Sequence, residues 1–354
     1  MSVATDRSAA RHAREPGTPP RALIVLASGA LATVTGAALW FLPSETGEWG
    51  RPARAKATAP LPVARTASGR TDVPPASSPA AGPSGFVTFV DAVHDPLFHL
   101  PRAARQSGAR WFTLGHLTAG QDGCTPRWGG HQDQGVNPVA NRLGHLRTAG
   151  GDAGLAFGGS AGRELASACL LPDRLTAAYR QVVGAFDAAH LDFEVRDSAD
   201  HGAVRRRAAA ISALQRETTD RGRPLAVSFT LPLTAKGLSP QDQLMLRTTR
   251  EAGARITAVN LMVPLRPAAP GRNRLRPVAA AVRAAQPQIA RALGERSAWR
   301  RIALTPVLAG PSDLSPADAR KLAGFAARHG LAWISTRGAV PAPEVARLLA
   351  APPL

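Results

Sequence analysis

From residue 86 onward the chain alternates short apolar runs with longer amphipathic stretches. Eight runs have the length and the β-branched or aromatic content of strands: FVTFVDAV (86–93), RWFTLGHLTA (110–119), AGLAFGG (153–159), HLDFEV (190–195), LAVSFTLPL (225–233), ITAVNLMVPL (256–265), RIALTPVLAG (301–310) and LAWISTRG (331–338). Between them, residues 173–187, 203–220, 241–253, 277–294 and 316–329 repeat apolar positions at helical spacing. Pro172-Asp173 and Ser315-Pro316 are helix starts, and Gly253 and Gly330 are helix stops. Strands alternating with helices over 85–354 predict an α/β fold, a (β/α)8 TIM barrel whose ligands bind at the carboxyl ends of its strands. A doubly wound open sheet is the alternative. No glycine-rich phosphate loop follows the first strand, so the pattern gives no nucleotide site.

The N-terminal part has a different pattern. Residues 1–21 are polar, with Arg7, Arg11, Arg14 and Arg21, and 22–42 (ALIVLASGALATVTGAALWFL) carry no charge. A bilayer core needs ~20 apolar residues, and Trp40 and Phe41 stand where an interfacial aromatic belt belongs. The expectation is a cytoplasmic tail (1–21) and a single-pass transmembrane signal anchor (22–42), with the rest outside the cytoplasm. A cleaved secretory signal is the alternative; its apolar region usually runs to only about 7–15 residues. Residues 43–84 are rich in Pro, Ala, Ser, Thr and Gly, with too little to bury to offset ordering entropy, and read as an extended linker.

Charge changes the picture less than its size suggests. The 354 residues carry a net charge of +18, almost all of it arginine, since the lysines are Lys56, Lys236 and Lys321. A basic balance invites a nucleic-acid reading, but the arginines are scattered and aromatic residues rarely interleave with them. The densest run, Arg205-Arg206-Arg207, falls inside a helix. A solvated basic surface is the better account, and no nucleic-acid partner is expected; an anionic cell-wall polymer stays open. Two cysteines exclude a cysteine zinc cage, and the nine histidines show no H-E-x-x-H spacing, so neither a metal nor a cofactor is expected. His116 and His131 fall near the barrel mouth, within reach of a ligand.

The fourth strand carries the chemistry. In His190-Leu191-Asp192-Phe193-Glu194-Val195-Arg196-Asp197, alternation turns Leu191, Phe193 and Val195 outward and Asp192, Glu194 and Arg196 into the barrel. Buried ionisable groups are costly unless paired. The row is therefore either an ion-pair network or a carbohydrate site. It resembles the D-x-D-x-E signature of family-18 glycoside hydrolases, the chitinases and their relatives. Ala156-Phe157-Gly158-Gly159-Ser160-Ala161-Gly162 is similar to the third-strand S-x-G-G element, Val259-Asn260-Leu261-Met262 to the sixth strand and Leu304-Thr305-Pro306-Val307 to the seventh. Cys124-Thr125-Pro126-Arg127-Trp128-Gly129-Gly130 and Cys169 resemble a secreted bacterial subgroup.

The resemblance implies substrate-assisted cleavage, in which the last Glu of the signature protonates the glycosidic oxygen and a neighbouring Asp steadies the substrate's acetamide. Asp192 matches the first Asp, Glu194 stands in place of the second, and Arg196 in place of the acid. A guanidinium stays protonated at neutral pH and cannot donate there. Leu265 and Arg266 replace the sixth-strand Asp-Tyr pair, and Thr336 or Arg337 falls where the family keeps a Trp. Ordinary chitinase turnover is therefore not expected. If the chain is active, Asp192 and Glu194 are the candidate catalytic carboxylates, with Asp197 as a further replacement.

The candidate ligand-binding residues are Asp91, Trp128, Asp192, Glu194, Arg196 and Arg266. Trp128, in a glycine-rich loop, is either a sugar-stacking platform or a packed rim residue; Asp91 is either a ligand contact or a hydrogen-bonded strand end. Arg196, Arg266 and Arg337 suit carboxylate or phosphate groups, or else compensate Asp192 and Glu194. Outside the cytoplasm Cys124 and Cys169 are expected to pair. The expected partner is a polysaccharide or cell-wall polymer, bound without hydrolysis; an active hydrolase and a non-binding scaffold are the alternatives.

Overall fold

The computed structural model describes residues 82–265 and 273–351. The apolar stretch 22–42, the linker up to residue 81 and Arg266 lie outside the described residues. Among the described residues no helix is long and apolar enough to cross a membrane.

Eight parallel strands close into a ring: β1 (Gly85–Asp91), β2 (Trp111–Ala119), β4 (Asp152–Gly158), β5 (His190–Glu194), β6 (Ala226–Pro232), β7 (Ala258–Pro264), β8 (Ile302–Leu308) and β9 (Trp333–Gly338). Each pairs with the next, and β9 returns to β1, so the sheet is a barrel rather than a doubly wound sheet. All eight apolar runs of the sequence are strands of this ring. The short β3 (Pro126–Trp128) was not legible as a strand; it lies antiparallel on the end of β2, with Leu117 opposite Trp128.

The connecting helices are α1 (Leu100–Ser107), α2 (Leu143–Thr148), α3 (Leu165–Ala168), α4 (Pro172–Phe186), α5 (His201–Asp220), α6 (Pro240–Glu251), α7 (Leu275–Leu293), α8 (Pro316–His329) and α9 (Pro343–Ala350). Their ends follow from local chemistry. Ser315 and Asp318 form a reciprocal capping box on α8, which stops at Gly330 in the left-handed conformation. Asp200 caps α5 by accepting from the Ala203 N–H.

A row of rings fixes how β5 faces. Phe157 on β4, Phe193 on β5 and Phe229 on β6 are register partners. They stack outward at 5.5 and 5.6 Å, and Tyr179 of α4 packs edge-on against the first two. A slip of one residue would turn these rings inward. The ladder therefore holds His190, Asp192 and Glu194 on the inner face. Cys124 and Cys169 form a disulfide, which ties the loop after β2 to the end of α3. Val73–Leu354 is one compact unit that holds the closed ring and its core, the conditions under which a domain folds alone.

Candidate functional site

The inner face of the barrel carries two polar layers. The deeper one centres on Asp192, buried beside its register partner Ser228. The Ser228 hydroxyl donates to one Asp192 carboxylate oxygen, and Thr230 Oγ1 donates to the other at 2.7 Å. Behind Thr230 the chain continues: Asn260 Nδ2 donates to Thr230 Oγ1 at 3.0 Å, and Thr305 Oγ1 donates to Asn260 Oδ1 at 2.7 Å.

Because Ser228 has spent its proton on Asp192, its oxygen accepts from His190 Nε2 at 2.9 Å. This assigns His190 as the neutral Nε2–H tautomer, and burial agrees by lowering its pKa to about 3. Burial acts the other way on Asp192, raising its pKa, while Ser228, Thr230 and the charge of Arg337 pull it back only in part. A cavity of about 20 Å³ lies among these side chains, room for roughly one water molecule and not for a sugar ring.

The upper layer is centred on Glu194, whose side chain is only 5% exposed. Arg337, near the end of β9, forms an ion pair with Glu194 Oε2, and His116 Nε2 donates to the same oxygen at 2.9 Å. The two nitrogens stand 3.1 Å apart because both N–H groups converge on that oxygen. The His116 contact has the geometry of an ion pair, but the ring is neutral at pH 7: burial, then the charge of Arg337, lowers its pKa to about 4. Arg337 itself is lowered by burial to about 10, which still leaves it charged. Its guanidinium lies 3.3 Å from the centre of the Phe89 ring, a cation–π contact that closes the inner wall.

Two glycines make this crowding possible. Gly158 turns out of β4 with φ +89°, and a Cβ there would run into the Glu194 carbonyl; a Cβ at Gly159 would stand 2.7 Å from the His116 ring. That is the physical content of the Gly158-Gly159 pair read in the sequence.

Arg196 sits elsewhere than the alternation predicted, while for Trp128 and Asp91 the structure selects the second of the two readings left open. Arg196 does not project into the barrel. β5 ends at Glu194, so strand alternation no longer governs Arg196, whose side chain is 58% exposed and reaches Glu194 Oε1 only at 3.9 Å. Trp128 is not a stacking platform. Its ring is fully buried, packed edge-on against Phe186, and its Nε1 donates to the Gln134 carbonyl at 3.3 Å. Asp91 closes β1 and is occupied by the turn that follows, accepting from the Val93 and His94 N–H groups and the His94 ring. Burial raises its pKa, but the His94 bonds outweigh that and hold the carboxyl below its ordinary range. Leu265 is buried in the core. The sequence reading missed the pairing of His116 with Glu194 and the Ser228–Thr230–Asn260–Thr305 chain.

No family model matches the chain. The probable bifunctional chitinase/lysozyme of Escherichia coli (strain K12) is 27% identical over 180 residues, 50% of this chain and 20% of that protein. Endochitinase 11 of Metarhizium anisopliae is 26% identical over 179 residues, 50% of this chain and 34% of that one. The matched stretch thus spans 20% and 34% of the length of these relatives.

Among solved structures, the catalytic domain of the hyperthermophilic chitinase from Pyrococcus furiosus superposes with a TM-score of 0.61 at 24% identity, over 75% of this chain and 94% of that one. The Cycas revoluta family-18 chitinase in complex with (GlcNAc)3 gives a TM-score of 0.54 at 12% identity, over 75% of this chain and 98% of that one. The barrel is similar in fold to these chitinases, one of them a family-18 enzyme. Just past β5 this barrel holds an exposed arginine, Arg196, and the uppermost inward carboxylate of that strand, Glu194, is paired with a second arginine, Arg337 of β9.

Proposed function

We propose that this chitinase-like domain binds N-acetylglucosamine-containing glycan at its carboxyl face and does not hydrolyse it. One observation carries the reading: Glu194, the uppermost inward carboxylate of β5, accepts from Arg337 and His116 on one oxygen and has the Arg196 cation near the other. A general acid must hold a proton and release it to the leaving group. A carboxylate clamped by a buried guanidinium holds none, and Arg196 keeps its own. The support for glycan is the similarity to chitinases, one of them in complex with (GlcNAc)3.

The test is release of chromophore from N-acetylglucosamine oligomers, beside retention on chitin and on peptidoglycan. The expected result is no turnover above buffer and measurable retention. Turnover abolished by Glu194→Gln would establish the hydrolase reading instead, and absence of retention on both polymers would leave only a scaffold.

We further place the domain outside the cytoplasm, held at the membrane by residues 22–42, on the strength of their uninterrupted apolar run and the arginines that precede it. The full chain is then expected to sediment with membranes and to leave them only with detergent. Recovery in a salt wash, or a mature N-terminus beyond residue 42, would overturn the anchor.

A further inference from the structure

The two ends of the barrel differ in charge. Among the described residues, the loops that lead from a strand into the next helix mix both signs, with Arg163, Arg196 and Lys236 set among Asp95, Asp197 and Asp313. The opposite loops, from a helix into the next strand, form the amino-terminal face and are almost uniformly basic. Arg110 precedes β2, Arg221 precedes β6, Arg255 precedes β7, and Arg296 and Arg300 precede β8; all five are exposed. The acids of these loops are already taken: Asp187 pairs with Arg223, and Glu295 with Arg301 at 2.9 Å. The five arginines have no carboxylate partner among the described residues.

Their neighbours are small. Gly108-Ala109 leads to Arg110, Gly222 and Pro224 flank Arg223, and Ala252-Gly253-Ala254 leads to Arg255. Trp299, the aromatic residue of these loops, is stacked on His329 at 4.0 Å. This is a broad cationic surface without stacking rings, which argues against single-stranded nucleic acid, where aromatic platforms carry much of the binding.

The chain also enters the barrel on this face. Gly82 lies against Ala226, the first residue of β6, and Gly85 begins β1 opposite Trp333.

We propose that the amino-terminal face docks on an anionic lipid bilayer, through Arg110, Arg221, Arg255, Arg296 and Arg300. Lipid phosphates supply the complementary charge over an extended surface, and the strand carboxyl ends then point away from the membrane. The inference goes beyond the glycan-binding reading and does not depend on the anchor.

The experiment uses Val73–Leu354, which lacks residues 22–42, in flotation with vesicles of phosphatidylglycerol and phosphatidylcholine in equal parts, and with pure phosphatidylcholine. Expected are flotation with the anionic vesicles only, release by salt, and at least about a hundredfold loss of affinity when all five arginines become glutamate, since each basic residue near such a surface contributes roughly fivefold. A second variant with the five changed to glutamine, checked for the same melting temperature as wild type, guards against misfolding and should also lose flotation. Failure to float with anionic vesicles, equal flotation with neutral ones, or variants that still float would overturn the proposal. Salt-sensitive capture by RNA or polyphosphate without flotation would also overturn it. Retention on chitin is read separately on the same variants, so loss of flotation with chitin binding intact isolates this face from the mouth.

Discussion

Arg337→Ala is expected to destabilise the barrel by about 3–5 kcal/mol, the range for removing one partner of a buried ion pair. Glu194 is left without its principal counter-charge in a side-chain environment only 5% exposed. What remains is a hydrogen bond from a neutral His116 ring and the distant charge of Arg196, 3.9 Å away and largely in water. The contact of Arg337 with the Phe89 ring is lost as well. Glu194→Gln should cost a comparable amount, because it strands a buried guanidinium that already has one buried nitrogen, Nη1, without a partner.

The double variant Arg337→Met/Glu194→Gln, by contrast, should lie closer to wild type than either single change, since it removes both desolvated charges together. Urea denaturation of wild type, Arg337→Met, Glu194→Gln and the double variant at pH 7 gives the cycle. Single changes that cost under about 1 kcal/mol, or costs that simply add, would mean that Glu194 is not clamped. Glu194 would then be free to take up and release a proton.

That pair was only half legible in the chain. Alternation along HLDFEV placed Asp192 and Glu194 correctly, because the outward Phe157–Phe193–Phe229 ladder enforces the register it implies. The same alternation failed two residues later, where the strand stops and Arg196 swings into solvent. His116 was hidden for a related reason. The pairing of β2 with β4 shifts register between Gly115 and Leu117, so His116 faces inward at a position that simple counting cannot assign.

Ser228 and Thr230 did alternate inside LAVSFTLPL, yet a polar residue in an apolar run reads as a fully buried strand until a carboxylate partner is known. Trp128 stayed open between two readings because its glycine-rich surroundings resemble a binding loop, whereas the segment is a short strand pinned over the barrel wall. Fold class and barrel closure followed from periodicity. The contents of the site depended on where strands end and bulge, and those are tertiary facts.

Acidification from pH 7 to 4 is expected to cost the fold roughly 6 kcal/mol through two histidines alone, at up to about 1.36 kcal/mol per pH unit for each. His116 and His190 have folded pKa values of about 4 and about 3, set chiefly by burial, against about 6.5 in an unfolded chain. Between those values the unfolded state takes up a proton at each ring that the folded state refuses. Stability from both groups is thus fully present above pH 6.5 and drains away as pH falls. Asp192 has the opposite sign: its folded pKa is raised by burial, so the penalty of ionising it in the folded state is relieved as pH falls through that raised pKa toward the unfolded value, which offsets part of the loss.

Since a domain of this kind is held by about 5–15 kcal/mol, such a loss removes a large part of its stability by pH 4. Urea midpoints measured from pH 7 to pH 4.5 should fall throughout. His116→Gln, which keeps a donor for Glu194 but cannot titrate, should lower the slope by about one proton's worth. A flat profile between pH 7 and 5, or an unchanged slope in His116→Gln, would show that the His116 ring carries charge beside Arg337. The hydrogen bond described for Glu194 would then be a second ion pair.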